Sequence, residues 1–264
     1  MDIRGKTVLL TGASSGLGPH IARKLHSSGA KLILSARSEA ALTKLAQELG
    51  RSRVIVADLA RKGEPERLAR EAAHVDVLVS NAGIPASGKL ETFEISDIDR
   101  ALTVNLRAGI VLARLLAPAM VRRKSGHMVF MSSLAGIVPT PGISIYNATK
   151  FGLRGFALAL REELWGSGVG VSVICPTFVS EAGMWAETGL SANPIPGEVK
   201  PSEVAAAVLT AIEKNRAEID VIGLPLRASL VMQALAPDLF RAAARRAGAS
   251  RASDAAAERQ RHKR

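Results

Sequence analysis

The chain has 264 residues, 47% of them hydrophobic and one a cysteine, which permits a sizeable core and excludes an intrachain disulfide framework. Its formal charge of +11 is not a nucleic-acid signature, because residues 241–264 alone hold eight Lys/Arg against two Asp/Glu and no aromatics. No helix-turn-helix, zinc-ligand spacing or RNA-binding pattern accompanies that charge, so no specific nucleic-acid partner is expected.

The N-terminus runs straight into Thr7-Val8-Leu9-Leu10, too short an apolar run for a secretory signal. No stretch approaches the roughly 18 uninterrupted apolar residues of a membrane span, and the lone Cys175 suits a reducing compartment, so a cytoplasmic location is expected. Residues 6–10 read as a strand, 18–29 as a helix with Ile21 and Leu25 on one face, 30–36 as a strand and 39–49 as a helix. Strands follow at 53–57 and 76–80, then a long helical stretch around 97–123 and a strand at 127–132. A helix over 146–165, a strand at 170–175, a helix over 201–214 and a strand at 218–222 complete the pattern.

Continuous apolar strands such as Val171-Ser172-Val173-Ile174 suit a sheet covered on both faces. The strand–helix alternation implies right-handed crossovers and an α/β, doubly wound parallel sheet, whose ligands bind beyond the carboxyl ends of the strands. No Ser/Gly- or Pro-rich linker separates two apolar halves, so residues 1–224 read as a single domain. Residues 225–248 read as a helical extension with the stripe Leu226, Leu230, Leu235 and Leu239, and 249–264 as a disordered basic tail.

The first strand leads into Thr11-Gly12-Ala13-Ser14-Ser15-Gly16-Leu17-Gly18, which opens the first helix. Gly12 lets the chain turn, Gly16 lets backbone approach a pyrophosphate, and Gly18 lets helix and sheet pack closely. The unpaired N–H groups of the helix start then face the phosphates. At the second strand end, Leu34-Ser35-Ala36-Arg37 offers no acid for a ribose 2′-hydroxyl; Arg37 suits a 2′-phosphate instead. NADP(H) is therefore the expected cofactor, with NAD(H) second. Asp58, at the third strand end, is placed either to accept a bond from an adenine amino group or to cap a helix. Asn81-Ala82-Gly83 closes the fourth strand with small residues that let backbone pass near a ligand.

Hydride reduction of a carbonyl needs a proton donor at the developing alkoxide and a second donor to polarise the oxygen. Tyr146, the only tyrosine, and Lys150 stand four residues apart on one helical face. A nearby ammonium favours the phenolate, so a lowered Tyr146 pKa is expected. Ser133, at the end of the preceding strand, can hold the substrate oxygen.

In this order and spacing, the Gly12/Gly16/Gly18 loop, Asn81-Ala82-Gly83, Asn105, Ser133, Tyr146 and Lys150 resemble the short-chain dehydrogenase/reductase family over roughly residues 5–222. The resemblance implies a Rossmann-type fold and hydride transfer between NADP(H) and a carbonyl or alcohol, without a metal. Tyr146 is then the general acid/base, and Ser133, thirteen residues earlier, stabilises the substrate oxygen. Lys150 holds the nicotinamide ribose, and Asn105 helps hold a water linking Lys150 to solvent. Cofactor contacts are implied at Gly12, Ser14, Ser15, Gly16, Leu17, Gly18, Arg37, Asp58, Leu59, Asn81, Ala82, Gly83, Tyr146, Lys150, Pro176 and Val179. A homodimer or homotetramer through the helices near 97–123 and 146–165 is also implied. The chain departs from the family where Pro-Gly and then a nicotinamide-binding threonine are usual: Thr177 replaces the glycine and Glu181 the threonine. Ser180 is the nearest substitute hydroxyl, the backbone the alternative.

Phe178, Met184, Trp185, Leu190 and Ile195, with Ile84, Leu134, Val138 and Ile143, are expected to line an apolar pocket or to pin a long loop. The first three are the candidate substrate contacts beside Ser133, for a small apolar carbonyl or alcohol. The Leu stripe beside Arg241, Arg245 and Arg246 suits packing on the body or a second subunit, or a peripheral membrane contact. Two other readings are reduction of 3-ketoacyl groups on a carrier protein, with Arg122, Arg123 and Lys124 meeting the acidic partner, and a non-catalytic dinucleotide sensor or scaffold. The complete Ser133–Tyr146–Lys150 set speaks against the last.

Overall fold

In the computed structural model the described residues are 1–50, 52–189 and 197–246, which leaves Leu190, Ile195 and the basic tail outside them. From the N-terminus run β1 (Thr7–Thr11), α1 (Gly18–Ser27), β2 (Lys31–Ala36), α2 (Glu39–Glu48), β3 (Arg53–Val56), α3 (Glu64–Glu71) and β4 (Val77–Ser80). Next come α4 (Ile95–Leu102), α5 (Ala108–Arg122), β5 (Gly126–Met131), α6 (Ser144–Glu163) and β6 (Val169–Pro176). The rest comprises β7 (Phe178–Val179), α7 (Gly183–Ala186), β8 (Glu198–Val199), α8 (Pro201–Lys214), β9 (Glu218–Val221), α9 (Leu224–Leu235) and α10 (Pro237–Arg246).

Seven strands pair in parallel in the order β3-β2-β1-β4-β5-β6-β9, the expected doubly wound, Rossmann-type sheet. Its apolar strands are buried on both faces because alternate side chains feed two cores. Val8 and Leu10, Val77 and Val79, and Val129 and Met131 join α1, α2 and α8 on one side. Leu9, Leu78, Met128 and Phe130 join α3, α5 and α6 on the other. The strand order reverses between β1 and β4, which opens a crevice above their carboxyl ends.

Three elements differ from expectation. The stretch around 97–123 is broken by a π-helical turn at Thr103–Arg107, which separates α4 from α5. The combined helix Ile95–Arg122 is long and apolar enough to cross a membrane, yet Ala108, Gly109, Leu112, Ala113, Leu116 and Met120 are buried within the domain. The short α3 carries only Pro65, Leu68 and Ala69 inward among charged residues, too few for a helical period to be seen. A small second sheet, β7 paired with β8, lies above the end of β6.

Candidate active site

The chain turns out of β1 at Gly12, where φ is +64° and an added Cβ would sit 2.8 Å from Ala82 Cα. A Cβ on Gly18 would lie 2.7 Å from Ala13 Cα, so both positions admit only glycine. Two backbone amides, of Asn81 and Ala82, donate to Thr11 Oγ1 at 3.0 and 3.1 Å. Asn81 Nδ2 donates to Thr11 O and Gly12 O at 3.1 and 3.2 Å. The Asn81 amide nitrogen thus braces the glycine turn. No side chain caps α1; Gly18 N donates to Ser15 O at 3.1 Å and Pro19 has no N–H, so an anion beside Gly16 would meet few amides of the helix itself. Leu59 is buried in one core, and the partly buried Leu17 packs against the other.

Arg37 is exposed just beyond β2, and no described residue pairs with it. The Asp58 carboxylate accepts from Ala60 N at 3.1 Å and approaches Arg61 Nε at 3.8 Å. It caps a turn ahead of α3 rather than the helix itself, whose N-cap is Gly63.

The chemical groups converge above β5 and the first turns of α6. Ser133 leaves β5 extended and its Oγ accepts from Ala135 N at 3.1 Å, at the head of a 3-10 turn over Leu134–Gly136. Tyr146 is half-buried near the start of α6. Lys150, 4% exposed, follows one turn later; its Nζ donates to Met131 O at 2.7 Å and lies 5.5 Å from the centre of the Tyr146 ring. Burial pushes the Tyr146 phenol up to about 12, opposed by the Ser133 hydroxyl, and pulls Lys150 down to about 8. This reverses the expected direction for Tyr146: desolvation of the phenolate outweighs any help from an ammonium turned toward a carbonyl.

Three positions join this geometry without having been singled out in the sequence. Asn147 Nδ2 donates to Ala135 O and Val138 O at 2.6 and 3.0 Å, and its Oδ1 accepts from Thr140 N at 3.1 Å. Ser132 Oγ donates to Lys150 O at 3.0 Å, and a Cβ on Gly136 would come within 2.8 Å of that same carbonyl. Together they press the Ser133 loop onto α6. Asn105, buried in the π turn, accepts from Ile84 N at 2.7 Å and donates to Ile84 O at 2.9 Å. Its amide therefore fixes the loop after Gly83.

Above β6, Ser180 Oγ donates to Val199 O at 3.3 Å and so is already engaged. Thr177, 8% exposed, instead keeps a buried Oγ1 with no partner among the described residues. This orphaned hydroxyl beside the end of β6, together with the glycine cradle, fits a dinucleotide whose nicotinamide end supplies the missing bond. Pro176 and Val179 are buried on either side of it. Glu181 is exposed, with φ +63°, and Gly183 lies against Gly16. The Phe178 and Trp185 rings stand 4.2 Å apart, and Met184 Cε would be 3.5 Å from a Cβ on Gly83. Arg122–Lys124 lie before the start of β5, at the sheet end opposite Ser133, and Arg123 is engaged with the Val75 and Ser125 carbonyls.

The sequence profile of the short chain dehydrogenases matches residues 6–193. The ketoacyl reductase HetN of Nostoc sp. is 38% identical over 242 residues, covering 89% of this chain and 84% of that protein. A short-chain dehydrogenase from Sphingobium yanoikuyae, solved with NADPH, is 30% identical with a TM-score of 0.74, covering 81% of this chain and 87% of that one. The bulky-bulky ketone specific alcohol dehydrogenase from Comamonas testosteroni is 26% identical with a TM-score of 0.74, covering 89% and 93%. Proteins of this family use NAD(P)(H) on small-molecule substrates, generally form oligomers and are typically soluble. The chain belongs to the short-chain dehydrogenase/reductase family and is an NAD(P)-dependent oxidoreductase of CH–OH groups.

Proposed function

We propose that the chain reduces an apolar ketone with NADPH, Tyr146 giving the proton that turns the carbonyl oxygen into a hydroxyl. The observation that carries this reading is a half-buried phenol, held protonated, between Ser133 and Lys150 and beside the glycine cradle. NADPH, when bound, would supply the hydride for the carbonyl carbon. Ser133 Oγ holds the carbonyl oxygen, and Tyr146 Oη donates its proton as charge develops there. The phenolate left behind has the Lys150 ammonium as its counter-charge, one helical turn away. Asn105 is a positioning residue that holds the Gly83–Ile84 loop against this centre.

Arg37 meets the 2′-phosphate of NADP(H). Arg37→Ala is expected to raise the KM for NADPH roughly tenfold or more while leaving that for NADH unchanged. Equal weakening toward both cofactors would refute the assignment. Thr177 holds the nicotinamide end. Thr177→Val, which keeps the shape and removes the orphaned hydroxyl, is expected to raise the Kd for NADPH a few-fold without lowering the melting temperature of the cofactor-free protein. A destabilised protein with unchanged affinity would instead place that hydroxyl in an internal bond.

Phe178, Met184 and Trp185 offer the substrate an apolar wall, which favours a bulky ketone over a sugar. The test is NADPH oxidation over a panel of apolar ketones, aldehydes and small polar sugars; faster turnover of the sugars would exclude this substrate class. The kinship with a ketoacyl reductase favours a second reading, a 3-ketoacyl thioester as substrate. Comparing a 3-ketoacyl carrier-protein thioester with the free ketones separates the two. We assign assembly to a homodimer or homotetramer through α4–α5 and α6, where Ile95, Leu102, Leu115 and Phe151 remain exposed.

A further inference from the structure

We propose that the outer face of α9 and the start of α10 dock on an anionic lipid bilayer, next to the mouth of the active site. Val231, Met232 and Leu235 of α9 are 58%, 55% and 77% exposed, and Leu239 of α10 is 72% exposed. The three α9 residues share one face by helical spacing. The helix is anchored through its other face: Leu226 is buried, and Gln233 Nε2 donates to Ile137 O at 3.3 Å. Ile137 directly follows the 3-10 turn headed by Ser133. The apolar stripe is thus what remains outward after α9 has seated on the Ser133 loop.

Charge selects the occupant. Residues 241–264 follow at once and hold eight Lys/Arg against two Asp/Glu, within a chain of net charge +11. A second copy would bring an equally basic segment to the same place, where like charges repel. An anionic bilayer attracts every one of these cations and gives the apolar side chains an acyl boundary to enter. The further step, that the bilayer is the reservoir for the substrate, rests on the apolar-ketone reading above.

The full chain would be co-sedimented with phosphatidylcholine vesicles, with and without about 30% phosphatidylglycerol, at low and high salt. The bound fraction is expected to rise about tenfold with the anionic lipid and to fall back at high salt. Leu235→Glu with Leu239→Glu should also lower binding about tenfold, leaving the size-exclusion profile and the turnover of a water-soluble ketone unchanged. Absent sedimentation with anionic vesicles would overturn the proposal. So would sedimentation indifferent to the double variant, which the basic segment alone would produce. A smaller assembly in the double variant would mark the stripe as a contact between copies. Vesicle binding that persists while no ketone is turned over would sink the ketone reading and leave the docking surface standing.

Discussion

Tyr146→Phe is expected to lower kcat for carbonyl reduction roughly 10²–10⁴-fold, the span general acid catalysis contributes, with NADPH affinity within about twofold of the parent. The substitution removes one oxygen and keeps the ring against which Lys150 rests at 5.5 Å. Ser133 and the α6 backbone stay where Asn147 holds them, so the carbonyl can still be bound and polarised. What is lost is a proton source at the alkoxide, because Lys150 is turned to the Met131 carbonyl. Steady-state kinetics with a reactive ketone, and a fluorescence titration with NADPH, read the two quantities separately. Undiminished turnover in the variant would move the acid to another group and end the mechanism given above.

Lys150→Met is expected to alter both turnover and the pH dependence of stability. The ammonium is buried with a pKa of about 8 against a usual 10.5, so the folded state penalises the charged form by about 3 kcal/mol. Between those two values the unfolded chain binds a proton that the folded chain has released. Parent stability therefore rises as pH climbs from 8 toward 10.5 and carries its full penalty below 8. The variant lacks that rise. Cys175 and Tyr146 act in the opposite sense, but only above their unfolded values of 9 and 10, so urea unfolding between pH 7.5 and 9 isolates the lysine. The Met131 carbonyl loses its donor in the variant, at a cost of about 1–3 kcal/mol. The slope with pH, not the absolute difference, is consequently the diagnostic. Equal slopes in the two proteins would mean that Lys150 is solvated when folded. Turnover should fall at least about a hundredfold, since the phenolate loses its counter-charge.

What could be read from the chain alone was local. The glycine turn and the Tyr146/Lys150 pair lie within eight and five residues, so their spacing is visible without a fold. Most of the seven strands were visible as short apolar runs, β9 as the alternating Glu218-Ile219-Asp220-Val221, and their parallel order follows from the intervening helices. Partners brought from far away were not visible. Ser180 looked like the free hydroxyl and Thr177 an anomaly until β8, nineteen residues beyond Ser180, took the Ser180 bond. The clamp of Asn147, Ser132 and Gly136 works through carbonyls that only the folded chain presents. The direction of the Tyr146 shift was misjudged because charge proximity shows in a sequence whereas depth of burial does not.

The Asn147 clamp also divides labour within the domain. Proton donor and oxygen holder share one body, made of the Ser133 loop stitched to α6. Met184 and Trp185 belong to another, a short helix tethered through the Trp185–Glu198 bond to the β7–β8 ribbon. The two bodies meet at Gly83, beside Met184 and the Lys150 ammonium, while the Asn147 clamp holds the first together without the second. On the proposed function, in which Met184 and Trp185 face the substrate, such a partition leaves one catalytic machine open to many carbonyl shapes and makes residues 183–186 the place to begin redesigning selectivity.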